Sequence, residues 1–237
     1  EAGVRGALRN FTSENYTYVF DYTDSAYVEA PAINRYTFQD QVYAAYATFT
    51  HKLSKIEYQA GLRVESSFYT GKMPDENETF SNNYPLSLFP SGYVSYEFNS
   101  NSSLELNYTR KIDRPGFYQL MPFTDYSDSL NLSVGNPNLQ PEFSHLAELV
   151  FVNNFKSNQN LLISAYGKLT DQLITRYQYR ALNPDPAKSD SVLYTSFANA
   201  NRSWVTGLEI TSKNKLTKWW ELTTNLNLVA SGAGISI

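Results

Sequence analysis

From Trp219 to Leu228 the chain alternates strictly. Trp220, Leu222, Thr224, Leu226 and Leu228 fall on one side of an extended backbone, and Glu221, Thr223, Asn225 and Asn227 fall on the other. A repeat of two marks a strand with one apolar and one polar face. The same pattern sets Leu104, Leu106 and Tyr108 against Ser103, Glu105, Asn107 and Thr109. It sets Tyr58, Ala60, Leu62 and Val64 against Gln59, Gly61, Arg63 and Glu65, and Trp204, Thr206, Leu208 and Ile210 against Ser203, Gly207 and Glu209. Val42–Thr50 is less clean, with Ala and Tyr on both faces. The periodicity predicts an all-β chain with strands near 37–51, 56–70, 84–98, 103–112, 144–155, 160–180, 192–212 and 218–229. Two less regular segments near 3–9 and 16–22 bring the expected total to ten.

The connections alternate in length. Short polar turns are expected at 53–55, 99–102, 156–159 and 213–217, and long loops near 71–83, 113–143 and 181–191. Outer-membrane barrels place short turns on the periplasmic side and long loops outside, whereas a sandwich has no cause to alternate in this way. The reading is therefore a transmembrane antiparallel up-and-down β-barrel, with residues 1–237 as one barrel segment. The segments 160–180 and 192–212 exceed the about 9–11 residues a tilted crossing needs, which predicts strands standing above the membrane. Pro115, Pro122, Pro137, Pro141, Pro184 and Pro186 all fall in the long loops, where a missing amide donor is tolerated. Pro90 lies in a strand-like run and predicts a bulge or break there. Strand 218–229 is expected to run outward and the first strand to begin outside, so the segment reads as truncated at both ends.

Composition sharpens this picture. The chain holds 19 Tyr, 14 Phe and 3 Trp, with only 18% charged residues, yet its mean hydropathy is −0.42. No run of about 20 apolar residues exists, which excludes a transmembrane helix. Strands that show lipid on alternate residues account for all three facts. A soluble aromatic-rich sandwich accounts for the composition alone. The expected lipid-facing residues are Leu104, Leu106, Tyr108, Leu208, Ile210, Trp220, Leu222, Leu226 and Leu228. Absence of cysteine removes disulfides and thiol chemistry. A net charge of −4 without a basic stripe argues against nucleic acid as a partner.

Tyr108–Glu142 carries Arg110-Lys111, Arg114-Pro115, Pro122-Phe123 and Gly135-Asn136-Pro137 through Glu142. This order closely resembles a signature of the Bacteroidota outer-membrane TonB-dependent receptor-like barrels. YAAYATF at 43–49, YQAGLRVE at 58–65, LFPSGYVSYEF at 88–98 and VTGLEITSKNKL at 205–216 resemble flanking segments of that family. The resemblance spans about 40–230. It implies a barrel of about 22 strands in a Gram-negative outer membrane. It further implies import of a bulky nutrient, driven by TonB through a plug domain outside the matched segments. Outer-membrane lipid and a surface lipoprotein are the other implied partners. The substrate is left open among glycans, peptides and metal chelates.

The long loop supplies the candidate site. Arg110, Lys111 and Arg114 close a strand end, where guanidinium groups could pair with Asp113, Asp125 or Asp128. Phe117, Tyr118, Phe123 and Tyr126 could stack on a ligand, together with Arg114, Asp125 and Asp128, or could pack the loop onto the barrel. Pro137 and Pro141 stiffen the run after Gly135. Catalysis is not expected: His51 and His145 lie far apart, and no serine sits in a nucleophile motif. The Asp residues near 124–128 lack an EF-hand spacing, so neither metal nor cofactor is expected. Alternatives are a self-contained barrel with a structural, adhesive or passive-channel role, a scaffold in an envelope complex, and a soluble glycan-binding β-domain.

Overall fold

The computed structural model describes residues 1–16, 18–29, 34–75, 77–122, 124–125, 128, 130–155, 159–183 and 190–234. Nine strands form one antiparallel sheet in the order β1 (Ala2–Asn15), β4 (Asn34–Leu53), β5 (Ile56–Met73), β6 (Glu78–Asn99), β7 (Ser102–Asp113), β10 (Glu142–Phe155), β11 (Gln159–Asp171), β14 (Arg202–Lys215) and β15 (Glu221–Gly234). The connections carry the remaining elements. These are β2 (Tyr18–Asp21) with β3 (Ala26–Glu29), the helical turn α1 (Phe117–Leu120), β8 (Thr124–Asp125), β9 (Asn131–Val134), β12 (Ile174–Leu182) and β13 (Ser191–Asn199). The sheet runs up and down between neighbours in sequence, with β1 and β15 at its two edges.

Register aligns the alternation from strand to strand. Leu53, Ile56, Tyr96, Leu104, Phe151, Ile163, Ile210 and Leu226 lie opposite one another in turn across β4 to β15. The adjacent row reads Lys52, Glu57, Ser95, Glu105, Val150, Ser164, Glu209 and Asn227. One face is thus apolar along its length and the other polar. Leu106, Leu149, Leu226 and Leu228 are exposed on the apolar face, the reverse of a water-soluble core. On β4 this face runs from Tyr43 to Leu53, roughly 33 Å of strand at about 3.3 Å per residue. Tilted by about 40°, that span matches the apolar band of about 25 Å that a membrane barrel presents.

Buried apolar side chains gather elsewhere, at the long-loop end of the inner, polar face. Tyr36, Phe38, Tyr69, Met73, Tyr84, Leu120 and Leu139 form one cluster there. Leu120 and Leu139 come from the loop between β7 and β10, which folds inward over β4, β5 and β6.

Several expectations are corrected. The segment near 16–22 is not a wall strand but part of the small β2–β3 hairpin, so β1 begins at the short-turn end. The loop expected at 71–83 shrinks to 74–77, because β5 and β6 pair out to Met73 and Glu78. The runs 160–180 and 192–212 each divide, at 172–173 and 200–201. Gln172 takes a positive φ of 59°, which turns the chain out of the ladder. Beyond that bend, β12 and β13 leave the wall and join β9 and β8 in a second sheet.

Pro90 leaves the β5 side unbroken, since Leu62 pairs opposite it without a register shift, but the β6–β7 ladder stops beside it at Ser91–Thr109, which is the local break expected there. Leu88 has the same parity as Pro90, and its carbonyl points toward β7, accepting from Arg110 Nη1 at 2.7 Å. Pro90 nitrogen therefore faces β7 too, and the ladder to β7 ends where that donor is missing. The bulge falls instead between Glu65 and Ser67, opposite Pro85 and Leu86. It lets Tyr84 and Phe89, of opposite parity, both turn inward and become buried.

Candidate functional site

Arg114 leaves the end of β7 and turns inward. Its Nη2 pairs with the Glu65 carboxylate on β5, and its Nε donates to Ser67 Oγ at 3.1 Å. Glu65 also receives Arg63, and on the neighbouring strands Arg9 pairs with the buried Asp40. The partner expected for Arg114 was an aspartate of its own loop; the strand beneath supplies a glutamate instead. Arg63 and Glu65 stand on the polar face of a strand that alternation had already marked. Their role was missed because pairing across the barrel interior leaves no trace in local spacing.

Behind Arg114, α1 presses Phe117 into the interior. Its ring centre lies 5.1 Å from Tyr36, 5.9 Å from Phe38 and 5.9 Å from Phe11. Phe117 is thus a packing residue, whereas Tyr118 meets the edge of Phe117 and is 77% exposed. Asp125 lies on β8, paired opposite Ser133 of β9. Asp128 accepts from Leu130 N at 2.9 Å, Asn131 N at 3.2 Å and Asn131 Nδ2 at 2.9 Å. These bonds, the Asn131 side chain first, hold its carboxyl below the ordinary aspartate value. They also make Asp128 a turn-forming residue. Phe123 and Tyr126 lie outside the described residues. Among the described residues, Arg114, Phe117, Tyr118, Asp125 and Asp128 are not gathered into one site.

The Gly135–Glu142 run fastens the loop. Gly135 N and Asn136 N donate to Met121 O and Gln119 O at 2.9 and 2.7 Å, holding α1. A Cβ on Gly135 would lie 2.4 Å from Met121 O and 2.7 Å from Met121 N, so only glycine permits this approach. Pro137 O accepts from Tyr69 Oη at 2.6 Å, and Leu139 O from Tyr84 Oη at 3.1 Å, binding β5 and β6. Asn136 Nδ2 donates to Phe197 O at 3.0 Å. Asn199 Oδ1 accepts from Gln140 N, and its Nδ2 reaches Gln140 O and Gln172 O, all at 2.8 Å. Glu142 Oε1 accepts from Ile174 N at 2.6 Å. One short run thus clasps α1, the wall and the base of the β12–β13 hairpin.

Between loop and wall remains a cavity of about 210 Å³, bordered by Arg9, Asp40, Tyr69, Arg114, Phe117 and Leu120. It is smaller than the roughly 300–1,000 Å³ of typical ligand pockets. His145 stands on the apolar face, its Nδ1 hydrogen-bonded to Tyr108 Oη at 2.8 Å. Among the described residues no cluster of three His, Cys, Asp or Glu side chains could hold a metal. The geometry offers an inward-folded loop clasped to the wall and an exposed rim.

Comparison with known proteins agrees with this architecture. Residues 1–234 match a family described as the outer membrane protein beta-barrel family. No curated protein matches the sequence. Among solved structures, the copper transporter OprC superposes with a TM-score of 0.64 at 14% identity, over 98% of this chain and 35% of that one. The siderophore receptor PirA from Pseudomonas aeruginosa gives 0.55 at 15% identity, over 98% and 51%. The Serratia marcescens hemophore receptor HasR, solved with its hemophore HasA and heme, gives 0.57 at 15% identity, over 89% and 40%. This chain therefore spans 35%, 51% and 40% of those three chains, and the likeness is one of fold.

Proposed function

This chain belongs to the outer membrane protein beta-barrel family, and from that premise we propose that it forms the wall and outer loops of a TonB-dependent receptor importing a bulky nutrient. The family and the fold place it in the outer membrane of a Gram-negative cell. The observation that carries the receptor reading is the loop after β7. A long segment folded into the interior and clasped at both ends gives a receptor a preshaped mouth that costs little ordering on capture. In this reading Arg114 and Phe117 hold the loop in place. Tyr118, Asp125 and Asp128 belong to its ligand-facing side, and Phe123 and Tyr126 enter as candidates on sequence alone. Leu104, Leu106, Tyr108, Leu208, Ile210, Trp220, Leu222, Leu226 and Leu228 face hydrocarbon. Copper, a siderophore and a hemophore-borne heme, the ligands named for OprC, PirA and HasR, set the first candidates for the cargo.

The test uses the full-length protein in its own cells, with uptake of copper, ferric siderophore and heme followed in the presence and absence of TonB. Uptake that needs both the protein and TonB is the expected result. Permeation that survives loss of TonB would assign a passive channel instead.

A further inference from the structure

The wall is zipped unevenly. β6 and β7 pair from Asn99–Ser102 only as far as Ser91–Thr109. Beyond that point β6 continues against β5 alone to Glu78, and β7 continues against β10 alone to Asp113. The two strands fork toward the long-loop end. Arg110 enters the fork, its guanidinium 4.8 Å from the Phe143 ring centre and 5.8 Å from that of Phe89.

On the inner side of this fork lies a second cavity, of about 320 Å³. Arg63, Arg110, Lys111 and Arg114 line it, against the single carboxylate of Glu65. Four cations thus share one anion. Arg63 Nε and Arg110 Nε are buried, and neither meets an acceptor among the described residues. A buried donor left unpaired is costly, and crowding like charges adds to that cost. Burial above all pushes the Arg114 guanidinium below the ordinary value, Asp40 opposes, and Arg63, Arg9 and Arg5 press it down further.

We propose that the β6–β7 fork is an anion site, built to take a phosphate group on Arg63, Arg110 and Lys111. Guanidinium forks match phosphate oxygens two at a time, and three positive charges in excess of Glu65 suit a dianion. Arg114 of the long loop closes one side of the site, while Tyr118, Asp125 and Asp128, which the receptor reading turns toward cargo, are not among its lining residues. The phosphate could be dissolved, reaching the cavity from the barrel mouth, or part of a lipid headgroup entering sideways between the parted strands.

The full-length protein in detergent, titrated with inorganic phosphate by calorimetry at low ionic strength, tests this. Saturable binding is expected, weakened about tenfold by Arg110→Gln or Lys111→Gln, as loss of one charge-assisted hydrogen bond implies. Arg176→Gln, an exposed position on β12, should bind as the unaltered protein does. Lys111 is exposed, so its variant decides the matter even if Arg110→Gln fails to fold, a point checked by heat-dependent gel mobility. Phosphatidic acid in phosphatidylcholine vesicles should compete with inorganic phosphate if the source is a headgroup, and should not if it is dissolved. Absence of saturable binding, or equal affinity in the Lys111→Gln protein, overturns the proposal.

Discussion

Arg114, in the loop that follows β7, is ion-paired to Glu65 in the middle of β5, and the carboxylate it covers is only 2% exposed. This contact ties the loop to the wall from within. A carboxylate so placed is tolerable only while cations cover it, since removing a partner leaves an uncompensated buried charge.

Arg114→Ala should therefore destabilise the folded barrel by about 3 kcal/mol, the low end of the range for a broken buried pair because Arg63 stays on the same carboxylate. Combining it with Glu65→Gln should recover part of the loss. Unfolding midpoints in detergent for both single variants and the double variant measure the coupling. Strict additivity would show that the pair does not interact energetically.

Leu226→Arg and Leu106→Arg place a charge on the apolar face, whereas Asn227→Arg and Asn107→Arg place the same charge on the polar one. The first two should impair membrane insertion, by up to about 2–4 kcal/mol near the bilayer midplane, and the second two should be tolerated. Folding yield into vesicles reads the difference. Equal yields for Leu226→Arg and Asn227→Arg would remove the assignment of faces.

Gly135→Ala and Asn199→Ala attack the clasp at two points. The alanine methyl would meet Met121 backbone, which cannot swing aside, and loss of the Asn199 amide cuts its bonds to Gln140 and Gln172. Each should cost about 1–3 kcal/mol locally, seen as faster amide exchange at Gly135, Gln140 and Ile174 with the wall unchanged. Protection equal to that of the unaltered protein would show that the clasp is not closed in solution.

Much of the wall was legible in the sequence because a period of two is a local property. The faces of Trp220–Leu228, Leu104–Tyr108 and Trp204–Ile210 follow from adjacent residues, and the ladder preserves them strand by strand. What could not be read were contacts between distant parts. Arg114 finds Glu65 across the interior, and Gly135–Glu142 reaches β5, β6 and β13, where only folding brings the partners together. The division of 160–180 likewise depends on Gln172 taking a left-handed conformation, which that residue type does not announce. Pro90 was legible as a break, but which side breaks, toward β7 and not toward β5, is set by the neighbour its missing donor faces.

Most of the bonds that the clasp accepts from outside itself land on main-chain oxygen. Tyr69 reaches Pro137 O, Tyr84 reaches Leu139 O, and Asn199 reaches Gln140 O. A carbonyl is the same whatever side chain it carries, so the fastening reads the path of the backbone and is nearly blind to lettering. Exchanging Asn138 or Gln140 leaves those three bonds where they are, while Gly135 and the fully enclosed Leu139 admit no such freedom. The crown of the barrel can thus be rewritten at Asn138 and Gln140, between the fixed points Gly135, Asn136, Leu139 and Glu142, without being unbuttoned.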